Sequence, residues 1–173
     1  MTGMIRPVAP ADLGAVRAIY NHAVVHTDAT MDTEPKTAAD FEDWFSEHQQ
    51  RFCAGVLELA DGTVAAYGSL SPFSRRGGYW PMTEVSFYVA LEHQRQGAGV
   101  QLSAWLAEQA AQRGFVTLVA FVTSTNTGSV KVLERTGYQH TGRMFQAGHK
   151  LDRFVDLDVY QRFITGPAGA DVP

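Results

Sequence analysis

The chain has 173 residues, 45% of them hydrophobic and 18% charged, which is enough to bury one sizeable core and too little for two. A formal charge of -4 with no basic run gives no electrostatic footprint for a polyanion, so no nucleic-acid partner is expected. No segment has the length and apolarity of a signal peptide or a membrane span, and the lone cysteine, Cys53, cannot form an internal disulfide; the expectation is a cytoplasmic protein with no membrane partner.

In chain order, Leu13, Val16, Ile19, Tyr20 and Ala23 recur at helical spacing, with Pro10 suited to the first helical position and Asp12 to the first turn. A polar loop over residues 27–36 follows this first helix. Thr37 and Asp40 then form a capping-box pattern ahead of Phe41, Trp44, Phe45 and His48, which share one face of a second helix. Residues 52–60 and 63–71 are apolar runs flanking Asp61-Gly62, a hairpin signal that predicts an antiparallel pair.

A third strand is predicted over residues 82–90, followed by a helix over 97–113 with Val100, Ala104, Ala107 and Ala111 on one side and Gly114 at its end. Residues 115–122 are almost unbroken apolar, as in a central strand covered on both faces. A short helix over 129–136 ends at Gly137. Val155, Leu157 and Val159 then alternate with Asp156, Asp158 and Tyr160, predicting a last strand with one wet face. The order α, α, β, β, β, α, β, α, β contains no repeat and no linker. It predicts one mixed α/β domain over residues 1–165, with a Gly-, Ala- and Pro-rich tail over 166–173.

The segment Gln94-Arg95-Gln96-Gly97-Ala98-Gly99 sits where a strand gives way to a helix, so backbone N–H groups and the helix dipole converge on one concave spot that suits a phosphate. Glycines at 97 and 99 allow close approach of a ligand, and Arg95 adds charge at the rim. The hexapeptide alone reads equally well as a glycine-containing helix start without a ligand. No Gly-Lys-Ser or Gly-Lys-Thr follows, which excludes a nucleoside-triphosphate loop; the third glycine of a dinucleotide fingerprint would fall at Leu102, which disfavours a nicotinamide cofactor.

This hexapeptide resembles the acetyl-CoA loop, Gln/Arg-x-x-Gly-x-Gly/Ala, of the GNAT superfamily of N-acetyltransferases. The chain further resembles its phosphinothricin and methionine sulfoximine or sulfone acetyltransferases through several segments spread over residues 5–163. These are Ile19-Tyr20-Asn21-His22-Ala23-Val24, Thr33-Glu34-Pro35, Glu84-Val85-Ser86-Phe87-Tyr88-Val89, Asn126 with Ser129, Gly137-Tyr138 and Gly148-His149-Lys150. The resemblance implies a mixed central sheet with helices on both faces and a splayed strand that opens an acetyl-CoA cleft.

It also implies that Phe87, Tyr88 and Val89 pair with the pantetheine arm, that Arg95, Gln96, Gly97, Ala98, Gly99 and Val100 hold the pyrophosphate, and that Asn126 contacts the pantetheine end. An acceptor pocket formed by Ser74, Arg75, Arg76, Glu84, Val85 and Ser86, with Glu84 as general base, and a homodimer are implied in the same way. The chain departs from the family at two places. Leu133 stands where relatives carry a histidine, and Met82 stands where the family threonine falls, with Thr83 one position later. Phosphinothricin itself is therefore not carried over as the acceptor.

Acetylating an amine that is protonated at neutral pH requires a base, a positioned thioester and a donor to polarise its carbonyl. Strand alternation places Glu84, Ser86 and Tyr88 on one face and Val85, Phe87 and Val89 on the other. Glu84 reads as a solvent-facing carboxylate or, beside the cofactor loop, as the base or part of a proton relay. Tyr88 reads as a hydrogen-bonded structural tyrosine or as the acid for the departing thiolate. Arg75 and Arg76 read as a clamp for a substrate carboxylate or as a solvated pair.

His22 and His26 stand four apart with no glutamate completing a zinc pattern, and no metal is expected. Trp44, Trp80 and Trp105 read as core or interface anchors, with Trp80 close enough in sequence to Glu84 to wall a pocket. The expected function is acetyl-CoA-dependent acetylation of the amine of a small amino acid or analogue, by direct transfer in a ternary complex. The alternatives are an acyl-CoA-binding regulatory module with weak catalysis and a protein or peptide N-acetyltransferase.

Overall fold

A computed structural model describes residues 3–164, so the tail expected over 166–173 lies outside the described residues. The strands are β1 (Gly3–Pro7), β2 (Cys53–Leu59), β3 (Val64–Pro72), β4 (Met82–Val89), β5 (Thr117–Thr123), β6 (Gln139–Lys150) and β7 (Arg153–Phe163). The helices are α1 (Leu13–His26), α2 (Ala38–Glu47), α3 (Ala98–Gln112) and α4 (Thr127–Arg135). The local signals act where the sequence puts them. Thr37 Oγ1 accepts the Asp40 N–H at 3.2 Å while the Asp40 carboxylate accepts the Thr37 N–H at 2.7 Å, closing the first turn of α2. Gly62, at φ 85°, turns β2 into β3.

The strands form one sheet in the order β1-β2-β3-β4-β5-β7-β6. Val56 and Leu57 are adjacent in β2 and both fully buried, which requires cover on both faces of the sheet. Helices α1 and α2 cover the face that carries Val56, Tyr67 and Tyr88. Helices α3 and α4 cover the other, against Leu70, Val85 and Leu118. Fully burying a leucine such as Leu102 or Leu106 contributes roughly 1.5–3 kcal/mol each, so this double cover supplies much of the stability. Trp44 and Trp105 pack against these cores.

Every neighbouring pair is antiparallel except β4 and β5, which α3 joins as a crossover. Their ladder holds only from Met82↔Thr117 to Glu84↔Val119. Past that point β4 stays with β3 as far as Ala66↔Val89, and β5 stays with β7 as far as Thr123↔Leu157. The sheet therefore splits between residues 85–89 and 120–123, leaving alternate backbone N–H and C=O groups of β4 without a strand partner on that side. This is the splayed strand that the resemblance implies.

Three expectations are corrected. Strands β1 and β6 are present although neither was predicted, so the order is β, α, α, β, β, β, α, β, α, β, β. The buried side of α3 is Ala98, Leu102, Leu106 and Ala110 with Ala107, while Ala104 is exposed and Val100 and Ala111 are only half-buried. Gly99 is on this packed side, where a Cβ would lie 3.1 Å from Val132 Cγ2 and 3.5 Å from Phe87 Cε2. The supposed wet face of β7 is partly dry: Asp158 and Tyr160 are buried, the former accepting from Arg143 at 2.6 and 2.9 Å across the β6–β7 pair.

Candidate active site

Two cavities open into the split. The first, about 300 Å³, is lined by Glu84, Ser86 and Tyr88 from β4, Ala120 and Val122 from β5, Leu133 and Ser129 from α4, and Ala29, Thr30 and Met31 from the loop after α1. The second, about 550 Å³, shares Ala29, Phe87, Tyr88 and Ser129 with the first and continues past Val89 to the α3 and α4 N-termini.

Glu84 stands at the fork, on the last rung shared by β4 and β5. It is the one charged residue lining the first cavity, and its carboxyl forms no hydrogen bond or ion pair with the described residues. Burial alone pushes its carboxyl up from the ordinary value. Tyr88 is held between Tyr20 and Tyr67, with ring centroids at 5.1 and 5.5 Å. Burial pushes its phenol up to about 12, so it stays protonated at neutral pH. The other side of that alternation behaves as expected: Val85 is buried against the α3 side, and Phe87 packs there too.

The loop over residues 27–36 becomes a wall because it is tied at several points. Tyr20 Oη donates to Asp32 Oδ2 at 2.6 Å, and the buried Lys150 Nζ donates to the Thr30 carbonyl at 2.6 Å. Asp28 accepts from Thr123 at 3.3 Å and Thr125 at 2.8 Å, and also pairs with Arg153, so it joins this loop to the opposite side of the split. The loop's length is above the roughly 2–8 residues usual between packed helices, but its place in the cleft comes from these ties and not from any motif in its sequence.

At the far end, Arg95 and Gly97 both take left-handed backbone, φ 59° and 88°, before α3 begins at Ala98. No protein atom lies within 4 Å of a Cβ built on Gly97, so its backbone angle and not crowding calls for glycine. The amides of Ala98, Gly99 and Val100 precede the first α3 hydrogen bond, from Gln101 N to the Gly97 carbonyl at 3.2 Å, and so have no intrahelical acceptor. Asn126 caps α4, its Oδ1 accepting the Ser129 N–H at 3.1 Å, which leaves its amide nitrogen for other contacts. The second cavity is lined by His22, Arg95 and Lys131 and by no carboxylate, a donor-rich and acid-free surface that fits an anionic ligand.

Of the residues singled out from the sequence, Glu84, Val85 and Ser86 line the first cavity, and Phe87 and Tyr88 line both. Val89, Arg95, Gly97, Ala98, Gly99 and Asn126 line the second; Gln96 and Val100 belong to the same turn without lining it. Ser74, Arg75 and Arg76 line neither cavity, with both arginines exposed in the loop after β3. Trp80 also lies outside both, with the Arg51 guanidinium 5.7 Å over its ring. Sequence reading missed Ala29, Thr30, Met31, Thr125 and Lys131, and it gave His22 no part in the cleft. Among the described residues no group of three or more histidine, cysteine or acidic side chains could hold a metal, and no helix is long and apolar enough to cross a membrane.

The model of the acetyltransferase (GNAT) family matches residues 16–138, and the chain belongs to that family. It is 34% identical over 162 residues to the L-methionine sulfoximine/L-methionine sulfone acetyltransferase of Pseudomonas paraeruginosa, covering 93% of this chain and 94% of that one. It is 33% identical to the phosphinothricin N-acetyltransferase of Streptomyces viridochromogenes, covering 95% and 89%. Among solved structures, yncA of Salmonella typhimurium, determined with its cofactor acetyl-CoA, superposes with a TM-score of 0.93 at 30% identity over 98% of each chain. The protein is thus an acetyl-CoA-dependent N-acetyltransferase of the GNAT fold.

Proposed function

We propose that the chain acetylates the amine of a small amino acid or amino-acid analogue of the methionine sulfone or phosphinothricin type, in the first cavity, with the donor in the second. The observation that carries this reading is Glu84. It is a lone, partly desolvated carboxylate at the mouth of the split, next to a cleft that has basic side chains and no acid. The relatives named for sulfoximine, sulfone and phosphinothricin substrates support the acceptor class.

The second cavity fits acetyl-CoA. The amides of Ala98, Gly99 and Val100 with Arg95 would hold its pyrophosphate, Gln96 shaping the same turn, and the unpaired edge of β4 at Phe87, Tyr88 and Val89 would take the pantetheine arm, with Asn126 at its end. When bound, the donor supplies an activated acetyl thioester. Glu84 takes a proton at its carboxylate from the acceptor ammonium, directly or through one water, and so frees the nitrogen lone pair for attack. Val85 and Ser86 line the acceptor, while Ser74, Arg75 and Arg76 stand outside the cavity and are given no part in holding it. No thiol of the protein lines either cavity, since Cys53 is buried in the core, and transfer is direct within a ternary complex. The nitrogen bonds to the acetyl carbon, the C–S bond breaks, and coenzyme A leaves as the thiol with the proton that the nitrogen sheds.

A cytoplasmic homodimer completes the reading. Phe145 and Phe154 on the β6–β7 pair, 76% and 66% exposed, supply an apolar surface for a second copy, and sedimentation at micromolar concentration tests it. The activity is tested by acetyl-CoA-dependent thiol release across methionine sulfone, methionine sulfoximine, phosphinothricin, common amino acids, polyamines and a peptide. Release confined to amino acids is expected. Release with the peptide alone would move the acceptor class to proteins, and silence with acetyl-CoA binding intact would make the chain an acyl-CoA-binding module.

A further inference from the structure

The polar row of β4 continues sideways into the sheet. In the β3–β4 register Ser71 lies opposite Glu84 and Ser69 opposite Ser86, so both serines lie on the face that carries the first cavity. Ser86 Oγ is 3.1 Å from Ser69 Oγ, Ser69 Oγ is 3.5 Å from Ser71 Oγ, and Ser71 Oγ is 3.0 Å from His48 Nε2. On the far side of the ring, His48 Nδ1 is 2.6 Å from the Trp44 carbonyl oxygen. His48 ends α2 and lines neither cavity; it is 4% exposed, with its ring 4.6 Å from that of Trp44.

A carbonyl oxygen can only accept, so Nδ1 carries a ring proton. Burial pushes the imidazole pKa down and keeps the ring neutral, which leaves Nε2 as an acceptor. The hydroxyl proton of Ser71 then points to Nε2, so Ser71 can only accept from Ser69; with the Ser69 proton given to Ser71, Ser69 accepts from Ser86. The proton of Ser86 is drawn inward, and its lone pairs face the cavity beside Glu84. This direction matters for the reaction: a serine free to donate would compete for the amine lone pair that must attack the thioester.

We propose that His48, Ser71 and Ser69 are positioning residues that hold the Ser86 hydroxyl as a hydrogen-bond acceptor for an N–H of the acceptor amine. The inference rests on the reading of the first cavity as the acceptor site. Glu84 removes one proton, Ser86 holds a second N–H, and the lone pair stays free to meet the acetyl carbon. None of the four side chains gains or loses a proton in this role.

Two measurements test it, the first independent of turnover. Nitrogen-15 spectra of the histidine rings are expected to show His48 as a single neutral tautomer protonated at Nδ1; a proton on Nε2 would overturn the proposal. The second compares Ser71→Ala, Ser86→Ala and the double variant in the thiol-release assay. Ser71→Ala is expected to raise the acceptor KM about five-fold, the worth of one neutral hydrogen bond, with the acetyl-CoA Kd unchanged. In the Ser86→Ala background the same change is expected to do nothing. An unchanged acceptor KM, or effects that simply add, overturns the positioning chain while leaving the acetyltransferase reading intact. A wild-type protein that acetylates no amine removes that reading and this proposal together.

Discussion

The two cavities share Phe87 and Tyr88 yet have opposite electrostatics. The second has His22, Arg95, Lys131 and the amide-rich start of α3, with no carboxylate; the first has one carboxylate, Glu84, and no cation. The difference follows from how each is built. The second cavity, which we propose takes the donor, is assembled around helix N-termini, whose orphan N–H groups attract anions. The first cavity, which we propose takes the acceptor, is assembled from a strand face and an anchored loop, where a carboxylate loses water and its affinity for a proton rises. One side is thus suited to holding a charged donor and the other to moving a proton, and changes to either are expected to separate binding from turnover.

The largest separation is expected from Glu84→Gln, which keeps the shape of the side chain and removes the proposed base. Turnover should fall about a hundred-fold or more, the usual range for losing general-base catalysis, with the acetyl-CoA Kd within error. Gly97→Ala acts on the other side. An L-residue in left-handed backbone costs roughly 1–2 kcal/mol, so acetyl-CoA should bind about ten-fold more weakly by calorimetry while kcat at saturating donor is kept. Smaller still is Lys131→Ala, for which we expect about three-fold weaker acetyl-CoA binding that fades as salt is raised; an equal change in the acceptor KM would blur the division of labour.

The pH dependence gives the finest distinction. Because burial raises the Glu84 pKa, the acid limb of kcat/KM should lie above the ordinary carboxylate range and disappear in Glu84→Gln. The same shift costs stability. The folded state holds the Glu84 proton more tightly than the unfolded state, so this residue's contribution falls as pH rises from the unfolded pKa through the folded one. Glu84→Gln should therefore gain in Tm relative to wild type at neutral pH, and lose that advantage near pH 4. A Tm difference that is flat with pH would place the carboxylate in water.

Much of this arrangement can be read from local sequence. Asp61-Gly62, the Thr37 and Asp40 pair and the 94–99 loop each act through chemistry within a few residues, and each appears where it was expected. Strand β6 was illegible because neither of its faces is substantially buried. It is held by backbone pairing to β7 across two register shifts, so its sequence carries no apolar period. Asp158 looked like a solvent-facing residue because its partner, Arg143, comes from that unseen strand. Met31, Thr125 and Lys131 reach the cavities only because loops distant in sequence meet over the split sheet. His48 looked like one more member of an amphipathic face, and only the register of β3 on β4 shows its link to Ser86.

The most direct test of the division between the two cavities is to measure, side by side, acetyl-CoA affinity and donor-saturated turnover for wild type, Glu84→Gln and Gly97→Ala. The expected result is crossed: Glu84→Gln binds acetyl-CoA as wild type does and barely turns over, while Gly97→Ala binds weakly and turns over once saturated. If Glu84→Gln loses affinity in step with turnover, Glu84 serves the donor site, and the assignment of proton transfer to the first cavity is contradicted.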